Sequence, residues 1–288
     1  MDDQRVLIER DRATGIARIT FNNEPQRNSY DAAMREQLGR YLDEIAADDD
    51  FKVVHLRGAG GVFSAGANMD NAYAWYGPDE TKAKRRPSQR RRLTVDRHIF
   101  RFYHDFMGYP KVTVAEVGGY ALGGGFELAL MADIAVVASD TQIGMPGTRL
   151  LGPALGSLHL FFHRLGPVIA RRLLLTGDTM EAAELAHLGV FTEVVAPDAV
   201  EERAAWWAQK VSRMPADGIV MAKEAFRLVE QLQQYQGEEV LSYLFHAYGT
   251  NLRFEEDEFN FVKARAQHGT RRAFELRDEH FDVPEPGP

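Results

Sequence analysis

Two glycine-rich segments, each following a predicted β-strand, constrain this chain more than any other feature. The first covers residues 58–68 and the second covers 118–125. Small residues at a strand-to-helix junction leave backbone N–H groups without partners and let a ligand approach them closely. Two such donors from separate loops can converge on one oxygen atom, as in an oxyanion hole. Tight turns without a ligand give the same pattern, so the glycines alone leave both interpretations open.

Strand and helix patterns alternate through the first two thirds of the chain. The opening predicts a hairpin around Gly15, and an apolar stripe at helical spacing predicts a helix over about 30–47, with Met34, Leu38, Tyr41, Leu42 and Ile45 on its buried face. Strands follow at 53–56, 112–117 and 134–138, with helices ending near Pro110 and covering 126–132. This alternation requires crossover connections and predicts an α/β fold with a mainly parallel sheet. The last third has helical periodicity over 201–211, 216–234 and 238–250.

Charge and composition exclude several classes of protein. The net charge of −8 argues against a protein that coats nucleic acid, which needs a basic surface. The chain has no cysteine, which excludes a disulfide scaffold, a thiolate metal site and a cysteine nucleophile. No apolar stretch reaches the roughly 18 residues of a membrane helix. The first residues do not resemble a signal peptide, so we expect a cytoplasmic protein without membrane contact.

One carboxyl group stands close to the second glycine segment. Glu127 lies two residues after Gly125, in the first turn of a predicted helix. A glutamate there is explained equally well as a residue favoured by the helix dipole or a capping box, or as a general acid/base beside the amide donors. The spacing does not decide between these two roles.

The two segments together resemble the crotonase family, the enoyl-CoA hydratases and isomerases. The resemblance rests on FSAGAN at 63–68 and GYALGGGFELA at 119–129, with MADI at 131–134 and LLLTGD at 173–178 in the expected order. It covers about residues 5–200. It implies a crotonase-like spiral of β-β-α turns over residues 1–200 and a helical C-terminal oligomerisation region over 201–288, in homotrimers that often pair as hexamers.

The resemblance also implies a chemistry. The substrate would be an acyl-CoA thioester, with coenzyme A as part of the substrate and no metal or other cofactor. The N–H groups of Ala67 and Gly124 would hold the thioester oxygen and stabilise an enolate, and Glu127 would move the proton. Burial of Glu127 would raise its pKa and the helix N-terminus would lower it. The implied substrate-binding positions are Ala65, Gly66, Asn68, Gly123 and Gly147.

The sequence departs from the family at one functional position. Hydratases of this family usually carry a second glutamate in a Gly-x-Pro-Glu step, but residues 144–147 read GMPG, so Gly147 replaces the acid. Hydratase is the leading expectation. Glu127 alone could instead run a double-bond shift, or the enolate chemistry could serve thioester or C–C hydrolysis. A catalytically impaired acyl-CoA-binding protein is the non-enzyme alternative.

Several neighbouring residues have a structural and a functional interpretation. We expect His159 to be packed or on the surface rather than a replacement for the missing acid, Arg149 to form a salt bridge, and Asp133 to be structural. Asn68 stands where the family has aspartate. Asp70 stands where some relatives have a lysine that helps to bind the cofactor nucleotide, which puts that contact in doubt.

The segment before residue 97 is rich in bases and aromatic residues. Its bases are Lys82, Lys84, Arg85, Arg86, Arg90, Arg91 and Arg92. We expect them on a solvated helix or mobile loop, with contact to the phosphates of coenzyme A as the alternative; RNA binding is disfavoured by the acidic balance. The aromatic residues Tyr73, Trp75 and Tyr76 would roof the acyl pocket. The absence of G-x-S-x-G and H-E-x-x-H patterns argues against a serine hydrolase and a zinc enzyme.

Overall fold

Six strands form the main sheet in a computed structural model, which describes residues 4–70, 88–152, 157–233, 240–244, 246–247 and 254–283. The strands are β1 (Val6–Asp11), β2 (Ile16–Phe21), β3 (Val53–Gly58), β4 (Val112–Val117), β6 (Ile134–Ala138) and β9 (Glu193–Val195), in the order β1-β2-β3-β4-β6-β9. The β1–β2 hairpin is antiparallel and every other pairing in this sheet is parallel. The predicted parallel sheet is thus confirmed.

A second, smaller layer of strands lies at the ends of the main ones. It contains β5 (Tyr120–Leu122), β7 (Gln142–Gly144) and β8 (Thr179–Glu181). The isolated parallel bridge Ser64–Ala121 joins the first glycine-rich segment to this layer, and a second bridge, Tyr30–Ala67, joins the same segment to the residues before helix Ala32–Ala46. The corner between β4 and β5 is tight, because a Cβ atom on Gly118 would lie 2.6 Å from the carbonyl oxygen of Gly61.

Helices complete the repeating turns. They are α1 (Ala32–Ala46), α2 (Gln89–Met107), α3 (Gly124–Met131), α4 (Thr148–Leu151), α5 (Leu158–Thr176), α6 (Val200–Ser212), α7 (Ala216–Leu232) and α8 (Phe261–Phe281). A long strand, a short strand or bridge, and a helix recur along the chain, and this repeat confirms the crotonase-like spiral with a helical C-terminal region. Helix α8 was not among the predicted helical segments.

Capping residues set helix boundaries that periodicity misplaced. Helix α1 begins at Ala32 rather than near residue 30, because the carboxylate of Asp31 accepts a hydrogen bond from the N–H of Met34 at 3.0 Å. Helix α3 begins two residues earlier than predicted, at Gly124. The predicted apolar stripe of α1 is confirmed, since all five of its members are buried.

The first C-terminal helices pack on the core. Helix α6 places Ala204 and Ala208 against Val53, Val114 and Val136 of three neighbouring main strands. Alanine side chains let the helix lie close to the sheet. The assignment of residues 201–288 to oligomerisation stays a prediction.

An ion pair links helix α7 to the core. Lys223, which is 9% exposed, lies 2.5 Å from one oxygen of Asp133. The other oxygen of Asp133 accepts hydrogen bonds from the N–H and the hydroxyl of Thr113. The predicted structural role of Asp133 is confirmed. No helix in the described ranges is long and apolar enough to span a membrane.

Candidate active site

The first glycine-rich segment turns the N–H group of Ala67 away from its neighbour Tyr30. The N–H of Tyr30 donates to the carbonyl of Gly66, and the N–H of Asn68 donates to the carbonyl of Tyr30, both at 2.9 Å. In a parallel bridge these flanking bonds leave the central residue's own N–H on the opposite side. The N–H of Ala67 donates to no carbonyl within the described part of the chain.

Gly66 brings this segment into contact with the start of α3. Its φ of +84° is in the left-handed region, which glycine adopts without strain. A Cβ atom on Gly66 would overlap the carbonyl oxygen of Leu122 and would lie 3.2 Å from the nitrogen of Gly124. Only a residue without a side chain therefore lets the two glycine-rich segments approach this closely.

The second segment ends by exposing the first N–H groups of α3. Gly123 has a φ of +54°, donates its N–H to the carbonyl of Gly144 at 2.9 Å, and accepts from the N–H of Glu127 at 3.0 Å. Gly124 is the first helical residue, and its N–H donates to no carbonyl among the residues described. The positive end of the helix dipole reinforces this donor toward an anion.

Glu127 lies one turn into α3 and is buried. It is 4% exposed, and its Oε1 accepts a hydrogen bond from the backbone N–H of Ser157 at 2.8 Å. Burial raises the pKa of Glu127, and the opposing effects of the Ser157 hydrogen bond and the imidazole of His246 do not cancel it. Burial is therefore the largest of these effects on the pKa of Glu127.

Two tyrosine hydroxyls lie at the same helix start. Tyr30 and Tyr103 are buried, and their hydroxyl groups are hydrogen-bonded to each other. A Cβ atom on Gly124 would overlap both hydroxyl oxygens. Burial raises the pKa of each phenol, and the charge of nearby Glu127 raises both further. Both side chains are therefore neutral hydrogen-bond donors at physiological pH.

Three of these groups were missed by the sequence analysis. Ser157 was detectable only as a potential cap before α5. Tyr103 belongs to the buried face of α2 with Asp96 and Phe100, at helical spacing. Tyr30 was counted as a helical residue, whereas it lies in a bridge that directs its ring toward α3.

The other predicted substrate-binding positions border this contact in different ways. Asn68 makes local bonds, donating to the side chain of Gln26 at 2.6 Å and accepting from the N–H of Asp70 at 2.9 Å. The N–H of Ala65 donates to the carbonyl of Arg27. Gly147 directly precedes α4 with a φ of −61° and a ψ of −23°, a conformation that any residue adopts.

Residues outside the contact take structural positions. Arg149 forms the expected salt bridge, with its partner Asp178 at 2.6 Å. His159 stacks on the ring of His163 at 5.9 Å between centroids, and burial lowers its pKa. The described residues contain no group of three histidine or acidic side chains that could hold a metal ion.

The basic and aromatic segment is described only from residue 88 onward. Arg90 and Arg91 are exposed on α2, as expected for a solvated helix, whereas Arg92 is 4% exposed, which differs from that expectation. The bases at 82–86 and the predicted aromatic roof at 73–76 fall outside the described residues.

Replacing Gly66 by alanine tests the close approach of the two segments. We expect Gly66→Ala to lower the free energy of unfolding by more than the ~1–2 kcal/mol cost of a left-handed alanine, because its methyl group also collides with the backbone of Leu122. Gly61→Ala is the matched control, since its φ is +73° and nothing lies within 4 Å of its Cβ position. Urea unfolding of both variants measures the difference, and equal losses would contradict the contact.

Comparisons with known proteins agree with this architecture. A family model described as enoyl-CoA hydratase/isomerase matches residues 11–271. A probable enoyl-CoA hydratase of Mycobacterium bovis is 30% identical over 273 residues, covering 94% of this chain and 100% of the relative. The 2,3-dehydroadipyl-CoA hydratase of Escherichia coli is 28% identical over 235 residues, covering 81% and 83%.

Solved structures of enoyl-CoA hydratases resemble this chain over nearly its full length. An enoyl-CoA hydratase from Mycobacterium smegmatis matches with a TM-score of 0.80 at 27% identity, covering 96% of this chain and 94% of that one. An enoyl-CoA hydratase/isomerase from Xanthobacter autotrophicus matches with a TM-score of 0.81 at 26% identity, covering 97% and 99%. The chain therefore belongs to the enoyl-CoA hydratase/isomerase family, the crotonase family, and is an enzyme of that family.

Proposed function

We propose that this enzyme acts on acyl-CoA thioesters by stabilising an enolate, and that its reaction is the hydration of an enoyl-CoA. The observation that carries the proposal is the position of Glu127. Its carboxyl group is buried beside the start of α3, with one oxygen held by the N–H of Ser157. A protein that only binds acyl-CoA has no need for such a group next to two amide donors.

The proposed reaction has two proton transfers through one carboxyl group. The thioester oxygen accepts hydrogen bonds from the N–H groups of Ala67 and Gly124. The oxygen of a water molecule bonds to C3 as Glu127 takes its proton, and the π electrons move onto the thioester oxygen as an enolate. Glu127 then returns the proton to C2. The raised pKa of Glu127 suits this exchange, because a carboxylate of higher proton affinity is a stronger base toward water.

A double-bond isomerase is the second candidate, and the residue at 147 favours it. With glycine in place of the second acid, Glu127 is the one family carboxyl left to handle protons. Moving a proton from C2 of a 3-enoyl-CoA to C4, through a dienolate whose oxygen is held by the same two amides, needs no bound water. Two further alternatives are thioester or C–C hydrolysis and catalytically impaired acyl-CoA binding. Assays with a panel of acyl-CoA substrates distinguish these alternatives from the hydratase and the isomerase, because each predicts different products or no turnover.

The rest of the proposal concerns assembly and location. Large apolar side chains of α7 are exposed in the single chain, including Met221, Phe226, Leu228, Val229 and Leu232. Such a patch supports an assembly surface in the C-terminal region, as a homotrimer or hexamer requires. The proposed reaction adds water and moves protons without a redox step, so we expect no cofactor other than the coenzyme A that enters as part of the substrate. We retain the cytoplasm as the expected compartment.

Replacing Glu127 by glutamine tests its role in proton transfer. We expect Glu127→Gln to lower kcat by about 10²–10⁴-fold, because general acid/base groups contribute that much, while acyl-CoA binding is retained. Purified proteins are assayed for hydration and isomerisation with short, medium-length and cyclic enoyl-CoAs. Thioester and C–C hydrolysis are followed with the same acyl groups.

The exposed Glu36→Gln on α1 is the control and should leave the rates unchanged. Wild-type rates in the Glu127 variant on every substrate would contradict the assignment. Tight binding without turnover by the wild type would identify an acyl-CoA-binding protein.

Glu127→Gln lowers the rate but should increase the free energy of unfolding, and the size of this increase depends on pH. Because the folded state favours protonated Glu127, the folded state binds more protons than the unfolded state between the ordinary glutamate pKa of 4.5 and the raised one. Wild-type stability therefore falls as pH rises through this window. We expect Glu127→Gln to match the wild type below pH 4.5 and to be more stable above the window, measured by urea unfolding at several pH values.

A difference between the variant and the wild type that stays constant with pH would contradict this environment for Glu127. Glu36→Gln again serves as the control, because surface substitutions change stability by roughly 0.5 kcal/mol or less.

Restoring an acid at position 147 separates hydration from isomerisation. The backbone at Gly147 accepts any side chain without strain, so Gly147→Glu should fold normally. We expect it to raise the rate of hydration relative to isomerisation by about 10²-fold, since a second carboxyl group helps to hold and deprotonate water. Gly147→Gln is the uncharged control. Equal effects of the two variants on both reactions would show that position 147 does not contribute to water activation.

A further inference from the structure

The hydroxyl groups of Tyr30 and Tyr103 come from distant parts of the chain and meet at one point of the site. Tyr30 is fixed by its backbone bridge to Ala67, and Tyr103 projects from α2. Both are 5% exposed or less. Each hydroxyl oxygen lies close to the position that a Cβ atom on Gly124 would occupy, so the pair is next to the first residue of α3.

One of the two hydroxyl protons of Tyr30 and Tyr103 is not used in their mutual hydrogen bond and remains available as a donor. Two neutral phenols carry two hydroxyl protons, and their mutual hydrogen bond uses one of them. Whichever oxygen donates, the second proton has no acceptor among the residues described. Leaving a buried donor unsatisfied costs about 1–3 kcal/mol, so a group that enters the site and accepts this proton would gain from it.

The direction of the pair matches that of the amide donors. Side chains of a helix tilt toward its N-terminus, which is also where its first N–H groups point. The hydroxyl pair lies beside Gly124, whose N–H the proposed function assigns to the thioester oxygen. An oxygen bound there has a phenol as its neighbour.

We propose that the Tyr30–Tyr103 pair donates a hydrogen bond to the thioester oxygen of the bound acyl-CoA, as a side-chain donor beside the amides of Ala67 and Gly124. This inference rests on the proposed function. The mutual hydrogen bond strengthens the outer donor, because the phenol that accepts becomes a better donor itself. The extra donor increases enolate stabilisation in a site that lacks the second family carboxyl.

The competing explanation is structural, since a hydrogen bond between two core tyrosines also ties α2 to the strand layer. The double variant Tyr30→Phe/Tyr103→Phe removes both donors and keeps the rings. We expect its kcat to fall by about 10²–10³-fold, the loss seen on removing one oxyanion donor. Each single variant should lose less, because the remaining hydroxyl keeps its proton for the substrate.

Tyr109→Phe is the matched control. Tyr109 is also buried, but its hydroxyl donates to the carbonyl of Leu42 at 2.6 Å and so makes an ordinary structural hydrogen bond. This variant loses a buried hydroxyl away from the site, so it should lose stability without losing kcat.

A spectroscopic readout separates polarisation of the substrate from loss of structure. The probe is a saturated acyl-CoA labelled with ¹³C at its carbonyl, with the acyl chain that the wild type binds most tightly. Isotope-edited infrared difference spectra of the bound thioester should show its carbonyl stretch at lower frequency in the wild type and Tyr109→Phe. The frequency should be higher in each single variant and highest in the double variant.

Each outcome decides the question. An unchanged carbonyl frequency in the single and double variants would overturn the inference, even if kcat fell, and would make the pair structural while leaving the proposed function intact. Failure of the wild type to bind or polarise any acyl-CoA would instead refute the proposed function together with the inference. If the double variant does not fold, the two single variants give the same comparison against Tyr109→Phe.

Discussion

The contact between the two glycine-rich segments is the constraint on which the rest of the site depends. It joins successive turns of the spiral at the point where each turn passes from strand to helix. The backbone of Gly66 can lie against Leu122 and Gly124 because Gly66 has no side chain. This approach places on neighbouring loops two N–H groups that donate to no carbonyl of the described residues. The main sheet supplies the rigid spacing that keeps these loops together.

Burial gives the polar groups around this contact their chemical character. Glu127 is surrounded by protein, so its proton is retained more strongly than in water even though one backbone N–H donates a hydrogen bond to the carboxyl group. Tyr30 and Tyr103 are kept neutral by the same burial and by the carboxyl charge beside them. A carboxyl group of high proton affinity and neutral donors therefore share one enclosed space, which suits chemistry at a carbonyl group.

The sequence predicted the parts of the molecule that depend on local pattern. Apolar periodicity identified α1, and the glycine motifs identified both loops and Glu127. The sequence could not predict the hydrogen bond between Tyr30 and Tyr103, because nothing in either local sequence shows that side chains 73 positions apart are in contact. The hydrogen bond from Ser157 to Glu127 spans 30 positions and was undetectable for the same reason. Helix limits were misplaced where Asp31 and the glycine start of α3 override periodicity.

The bond from Ser157 to Glu127 has a consequence for how such an enzyme can diverge. The donor is a main-chain N–H, so mutation of the serine side chain leaves it in place, whereas a change in loop length before α5 moves it. That loop follows α4, whose first residue comes directly after Gly147. Insertions and deletions between α4 and α5 can therefore change the acidity of a carboxyl group on a different helix. Such changes leave the N–H groups of Ala67 and Gly124 in place, because these groups belong to other segments of the chain.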